Sequence, residues 1–183
     1  MTGCEGDEFG TIVGETPTAG QGNFTYLWQK KTSSSSWQSA DNNNTEKDYF
    51  VGVLSEPTSF RRIVYSLAIK DTSNVVDVDV KQSKGGKIKA KKDWISSEID
   101  TLTLQKHNGT IVQWEHSCDT IEWNVFSTLS DTSVAYKPAY FDTMYLRTMV
   151  RFEQCPERYS EVLKIFVLQD VSLYEMREDV NYV

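Results

Sequence analysis

Phe24-Thr25-Tyr26-Leu27-Trp28-Gln29 alternates side chains so that Phe24, Tyr26 and Trp28 share one face, the period of a strand rather than of a helix. Nine residues after Trp28 stands Trp37, and Arg61 follows 24 residues later within Phe60-Arg61-Arg62-Ile63-Val64. The same spacing recurs as Trp114, Trp123 and Arg147, each 86 residues beyond its counterpart. Phe60-Arg61-Arg62-Ile63-Val64 then matches Leu146-Arg147-Thr148-Met149-Val150. Tyr49 answers Tyr136, and Val76-x-Val78-x-Val80 answers Leu163-x-Ile165-x-Val167, with the offset one residue larger. Small changes of offset place the gaps in loops, where insertions are tolerated. A repeat of this length reads as two homologous β domains, 1–80 and 81–169, followed by a tail, 170–183.

The rest of the chain agrees. Val76-Asp77-Val78-Asp79-Val80 is strictly alternating, and strand-length apolar runs recur at Leu102-Thr103-Leu104, Ile111–Trp114, Tyr145–Phe152 and Leu163–Val167. Turn clusters separate them: Thr16–Gly20, Ser33–Ser36, Asp41–Asn44 and His107-Asn108-Gly109. No segment has the period of a long helix. Many short strands at even spacing imply a sandwich or a barrel. Both tryptophans and the arginine of each copy are expected in or against the core, the first Trp between two sheets and the Arg stem over apolar surface.

Composition limits function. The 183 residues carry a net charge of −7, which argues against a general nucleic-acid binder, since such a protein needs a basic face. No apolar run is long enough to span a bilayer as a helix. The N-terminal Met1–Gly10 has neither a basic n-region nor an apolar h-region, and the expectation is a chain without a secretion signal, either not exported this way or with its signal removed. Three cysteines, Cys4, Cys118 and Cys155, and two histidines, His107 and His116, leave little material for zinc sites or histidine catalysis.

Pro17-Thr18-Ala19-Gly20-Gln21-Gly22-Asn23-Phe24-Thr25-Tyr26-Leu27-Trp28-Gln29, with Trp37, Tyr49 and Phe60–Val64, resembles the immunoglobulin-like repeat of Bacteroidetes surface and gliding adhesins. Gly109–Asp119, with Trp123, Tyr136-Lys137-Pro138 and Tyr145–Arg147, resembles the same repeat, so the likeness covers about 4–168. It implies an all-β protein of two tandem immunoglobulin-like β-sandwich domains, with a role in display or adhesion and no catalytic residues. The family often carries one early and one late cysteine per repeat, joined as a disulfide. Here Cys4 is early in copy one with no cysteine near Ser66, and Cys155 is late in copy two with Ile95-Ser96 at the early place. Each copy keeps half a pair, which suits folding in a reducing compartment with all three thiols free. Immunoglobulin-like domains also occur in virion proteins of tailed phages, which fold in the host cytoplasm. The sequence therefore favours a non-enzymatic phage virion component, a capsid decoration or head-fibre protein. Its expected partners are capsid or other virion proteins, further copies of itself and a host-surface glycan, with no nucleic acid and no membrane. The alternatives are a fragment of a Bacteroidetes cell-surface adhesin, or an accessory binding domain of a secreted glycan-degrading enzyme.

Residue clusters with chemical potential have plain readings beside them. His116-Ser117-Cys118-Asp119 holds base, nucleophile and acid types, but catalytic groups usually converge from separate elements, and a polar turn is the expectation. Lys84-Gly85-Gly86-Lys87 lacks the spacing of a phosphate loop. Asp41–Glu46 with Asp48 offers oxygen ligands without an EF-hand pattern and reads as an Asx-rich connection. No catalytic, cofactor-binding or metal-binding residue is assigned, and no cofactor is expected. The Lys-rich segment 81–92 reads as a linker and edge strand, or as a docking patch for an acidic surface or an anionic glycan. Neither that segment nor the tail, which mixes apolar and charged residues, is expected to order itself against its own domain, so at least one of them is expected to be ordered by another chain.

Overall fold

A computed structural model describes residues 1–20, 22–92, 94–96, 99–138 and 142–168. The tail 170–183 lies outside them. The chain divides into two compact units, Met1–Gln82 and a second from Ser83 on. All regular structure among the described residues is β.

The first unit contains β1 (Thr2–Cys4), β2 (Glu8–Ile12), β3 (Thr25–Lys31), β4 (Gln38–Ser39), β5 (Tyr49–Val53), β6 (Thr58–Ser66), β7 (Ile69–Thr72) and β8 (Val76–Lys81). One sheet runs β1-β8-β6-β3-β4, with β7 also on β6, and β2 pairs with β5 in the other. The second unit contains β9 (Lys87–Lys89), β10 (Trp94–Ser96), β11 (Asp100–Gln105), β12 (Thr110–Ser117), β13 (Asn124–Ser127), β14 (Ser133–Tyr136), β15 (Asp142–Arg151), β16 (Arg158–Tyr159) and β17 (Leu163–Leu168). Its sheets run β10-β17-β15-β12-β13, with β16 on β15, and β14-β11-β9. Apart from β9, the two units have one topology. In each, the first strand of the main sheet pairs parallel with the last, and the other pairings are antiparallel. Each unit is an immunoglobulin-like sandwich.

The registers place the repeat physically. Trp28 pairs with Arg62 and Trp114 with Thr148, so both tryptophans hold the same place on the central strand. Both are buried in cores, with Tyr49, Phe60 and Val78 in the first unit and Tyr136, Leu146 and Ile165 in the second. Ile111 and Trp114 are three apart yet both face the core, because a bulge at Val112 inserts one residue against Val150 and Met149.

A single serine in each unit explains a feature absent from the sequence reading. The long strands β6 and β15 are flanked on one side by two short strands in succession, β8 then β7, and β17 then β16. At the changeover Ser73 N–H donates to Arg62 O (2.9 Å) while Ser73 Oγ accepts from Arg62 N–H (2.9 Å). Ser160 does the same for Thr148, at 2.8 and 3.0 Å. Both backbone groups of the long strand are thus satisfied where its neighbour changes, as a buried main chain requires.

Two expectations are corrected and a third is narrowed. The boundary at 80/81 moves to 82/83, because Lys81 pairs with Cys4 in β8 and its carbonyl accepts from Glu5 N–H (2.8 Å), while Ser83 Oγ accepts from Phe152 N–H (2.9 Å) in the second unit. Of the two segments expected to be too polar to order against their own domains, the Lys-rich one packs on its own units, with Ile88 buried in the second core and β9 paired with β11, while the tail lies outside the described residues. Alternation achieves this packing with two apolar residues, Ile88 facing in and Ala90 packing beside it while Lys87 and Lys89 face outward. The expectation of three free thiols also fails. Cys4 and Cys155 are disulfide-bonded, and Cys118 is the free, exposed cysteine.

Candidate functional site

The second tryptophan and the arginine of each copy leave the core. Trp37 and Trp123 precede β4 and β13 and are half-buried on the outer face of the main sheet. The Arg61 guanidinium lies 4.2 Å from the Trp37 ring centre, and Lys31 Nζ lies 5.0 Å from it. Arg147 is clasped between Trp123 (3.9 Å) and Tyr159 (3.8 Å). Arg61 Nε donates to Gln29 Oε1 (2.9 Å), and Arg147 Nε donates to Glu115 Oε2 (2.5 Å) on the equivalent strand position. These stacks cover ring faces and are held by neighbouring strands; they fasten the outer surface of the sheet. The expectation that Trp37 and Trp123 are core residues is therefore corrected, since each is half-buried just before its strand and stacks on an arginine instead.

The clusters singled out by residue type are engaged in structure. His116 Nδ1 lies 3.2 Å from Tyr136 Oη, and its ring packs on Phe126 and Tyr136. Burial lowers the His116 pKa and raises that of Tyr136, with Cys118 adding to the latter. Ser117 Oγ donates to Asp119 Oδ1 (3.0 Å), which also accepts from Ile121 N–H and Glu122 N–H. Those backbone bonds lower the Asp119 pKa and make the segment a turn. The Asp41–Asp48 loop is likewise internally bonded. Lys30 pairs with Asp41, Asn44 Nδ2 donates to Ala40 O, Trp28 Nε1 donates to Glu46 O (3.0 Å), and Gly14 N–H donates to Asp48 Oδ1. Among the described residues no three His, Cys, Asp or Glu side chains are grouped to hold a metal. Nor do the described residues hold any helix long and apolar enough to cross a membrane.

One arrangement was missed by the sequence reading. Arg62 faces inward on β6 and is 94% buried (6% exposed). Its Nη1 donates to Lys47 O (2.8 Å) and its Nη2 to Glu15 O (2.6 Å), while Nε donates to nothing. Its guanidinium lies 4.8 Å from the Tyr26 ring centre and 5.8 Å from that of Trp28. Gly14 makes this possible, since a Cβ there would fall 1.9 Å from Arg62 Nη1. Arg62 lines a cavity of about 570 Å³ in the first unit. The loop Glu15–Gly20 forms one wall, Val64 and Ser66 of β6 another, and Ile69–Asp71 with Ser73 the rim. The legible signal was the pair Arg61-Arg62 on an alternating strand, which must send one guanidinium inward.

A family model described as "Domain of unknown function (DUF8696)" matches residues 1–82 and again 84–169. The chain belongs to the DUF8696 family. Its two DUF8696 matches follow the two compact units closely. No curated protein matches the chain. Among solved structures it is similar to the crystal structure of chicken CNTN1 FN1–FN3 domains, at 11% identity and a TM-score of 0.32, over 79% of this chain and 54% of that one. The chain thus spans about half the length of that structure.

Proposed function

We propose that this DUF8696 pair is a non-catalytic display and adhesion module of an exported protein, exposed at a cell surface. The observation that carries the reading is the oxidised state of Cys4 and Cys155, because disulfides persist in oxidising compartments and are rare in reducing ones. The virion reading leaned on free thiols, and that support is gone. The non-catalytic part is supported by His116, Ser117 and Asp119, whose polar atoms hold a tyrosine hydroxyl and a turn. Tandem sandwiches suit display, since a two-sheet scaffold holds its loops on rigid strands.

The test is where the native chain resides. Brief protease treatment of intact source cells should release peptides of both units, and those covering Cys4 and Cys155 should appear only after reduction. Recovery solely from the cytosol, with both thiols free, would sink the proposal. Recovery from purified phage particles would restore the virion reading.

A further inference from the structure

Charge is rarely buried without a countercharge, because desolvating a guanidinium is costly. Arg62 is such a case. No carboxylate among the described residues pairs with it; two backbone carbonyls and two aromatic faces hold it. The fold does not require an arginine there, since the equivalent residue in the second unit is the buried, neutral Thr148. The guanidinium borders a cavity of about 570 Å³, ample for one sugar ring, while its Nε–H is buried without an acceptor, so a ligand in the cavity meets the edge of a charge that the protein leaves uncompensated.

The lining narrows the ligand class. A planar guanidinium suits a carboxylate better than a point charge does; Lys70 also lines the cavity, but Glu15 and Asp71 line it too, so the preference for an acid rests on the unpaired guanidinium and not on the net charge of the lining. Thr16, Thr18 and Ser73 bring hydroxyls to the same cavity, while Pro17 and Phe24 bring apolar surface. Hydroxyls beside an apolar wall match a pyranose, which has an equatorial belt of hydroxyls and flat C–H faces. We propose that the Arg62 cavity of the first unit binds an acidic sugar, a uronic or sialic acid residue of a surface glycan. The choice of a glycan rests on the adhesion reading above; the carboxylate rests on Arg62 alone. The second unit, with Thr148 in place of Arg62, lacks the site.

The experiment is amide NMR titration of the full chain with glucuronic acid and N-acetylneuraminic acid, with glucose and acetate as controls. One or both acids should shift amides of Glu15–Gly20 and Lys70–Ser73 saturably, with a dissociation constant of order 1 mM, as a few charge-assisted hydrogen bonds allow. Arg62→Thr, which copies the second unit, should weaken binding at least about tenfold, the loss expected for one such bond. Lys70→Glu changes an exposed residue and keeps the test open if Arg62→Thr fails to fold; it should weaken the acids and leave the spectrum otherwise intact. Shifts of equal size with glucose overturn the acid, and equal shifts with acetate overturn the sugar. Shifts confined to Lys84–Lys92, or none with either acid, overturn the site. A cytosolic location with binding intact would refute the adhesion reading and spare the site; a surface location without binding would do the reverse.

Discussion

Replacing each core tryptophan by phenylalanine should give two different answers from two equivalent positions. Trp28 is 3% and Trp114 0% exposed, so both substitutions remove a similar amount of buried ring. What differs is the indole N–H. Trp28 Nε1 donates to Glu46 O at 3.0 Å, whereas Trp114 Nε1 is buried with no partner. Trp28→Phe loses the ring volume, about 1–2 kcal/mol by analogy with other large-to-small changes, plus about 1 kcal/mol for the hydrogen bond. Trp114→Phe loses the same volume but removes an unsatisfied donor whose burial costs about 1–3 kcal/mol, so the two effects roughly cancel. The difference between the variants is thus about 2–4 kcal/mol. For a unit of this size about 1 kcal/mol moves Tm by about 4–8 °C. Native-state hydrogen exchange read by mass spectrometry reports each unit separately. Peptides of β3 and β6 should lose protection in Trp28→Phe, while those of β12 and β15 should hardly change in Trp114→Phe. If Trp114→Phe costs as much as Trp28→Phe, the unpartnered N–H is no burden and the reasoning fails.

Other outcomes follow from single contacts. Burial lowers the His116 pKa from its ordinary value of 6.5, so the unfolded chain binds the proton more readily; stability of the second unit should fall as pH drops below about 6.5 and level off beneath the native value, and His116→Gln should flatten that part of a pH series of urea titrations. Gly85→Ala places a Cβ 1.9 Å from the Tyr159 carbonyl and should unfold or strongly destabilise the second unit, while Gly10→Ala meets nothing within 4 Å and should leave thermal melting of the first unit unchanged or slightly raised. Alkylation of the native, unreduced protein should add one label, at Cys118, and intact mass after reduction should show two more sites open.

The repeat was legible because its anchors are large and fall on long paired strands. Trp28 and Trp114, or Phe60 and Leu146, keep their spacing because one slip would turn every side chain of the strand to the wrong face. The short strands left no such trace: β4 and β16 have two residues each, too few for a period. The edge strand in the Lys-rich segment was legible, but its polar composition hid that Ile88 alone of the β9 side chains is enough to seat it in the second core. The thiols misled for another reason, since spacing alone says nothing of which cysteines are oxidised. Arg62 was overlooked because Arg61 shares the repeat and Arg62 does not, its counterpart being Thr148.

The serine at the strand changeover bears on how such units can be altered. Before it, Leu67 and Glu153 hold matching left-handed backbone (φ 53° and 49°), 86 residues apart. Ser73 and Ser160 themselves are 87 apart, so the second copy accommodates one residue more within this excursion. Because the serine re-anchors the chain to β6 or β15 whatever precedes it, length can change here while Val76–Val80 and Leu163–Val167 keep their places in the core. The excursion therefore works as a graft point: a foreign peptide inserted between Ile69 and Thr72 would project from the sandwich while the clamp isolates its length from the rest of the sheet.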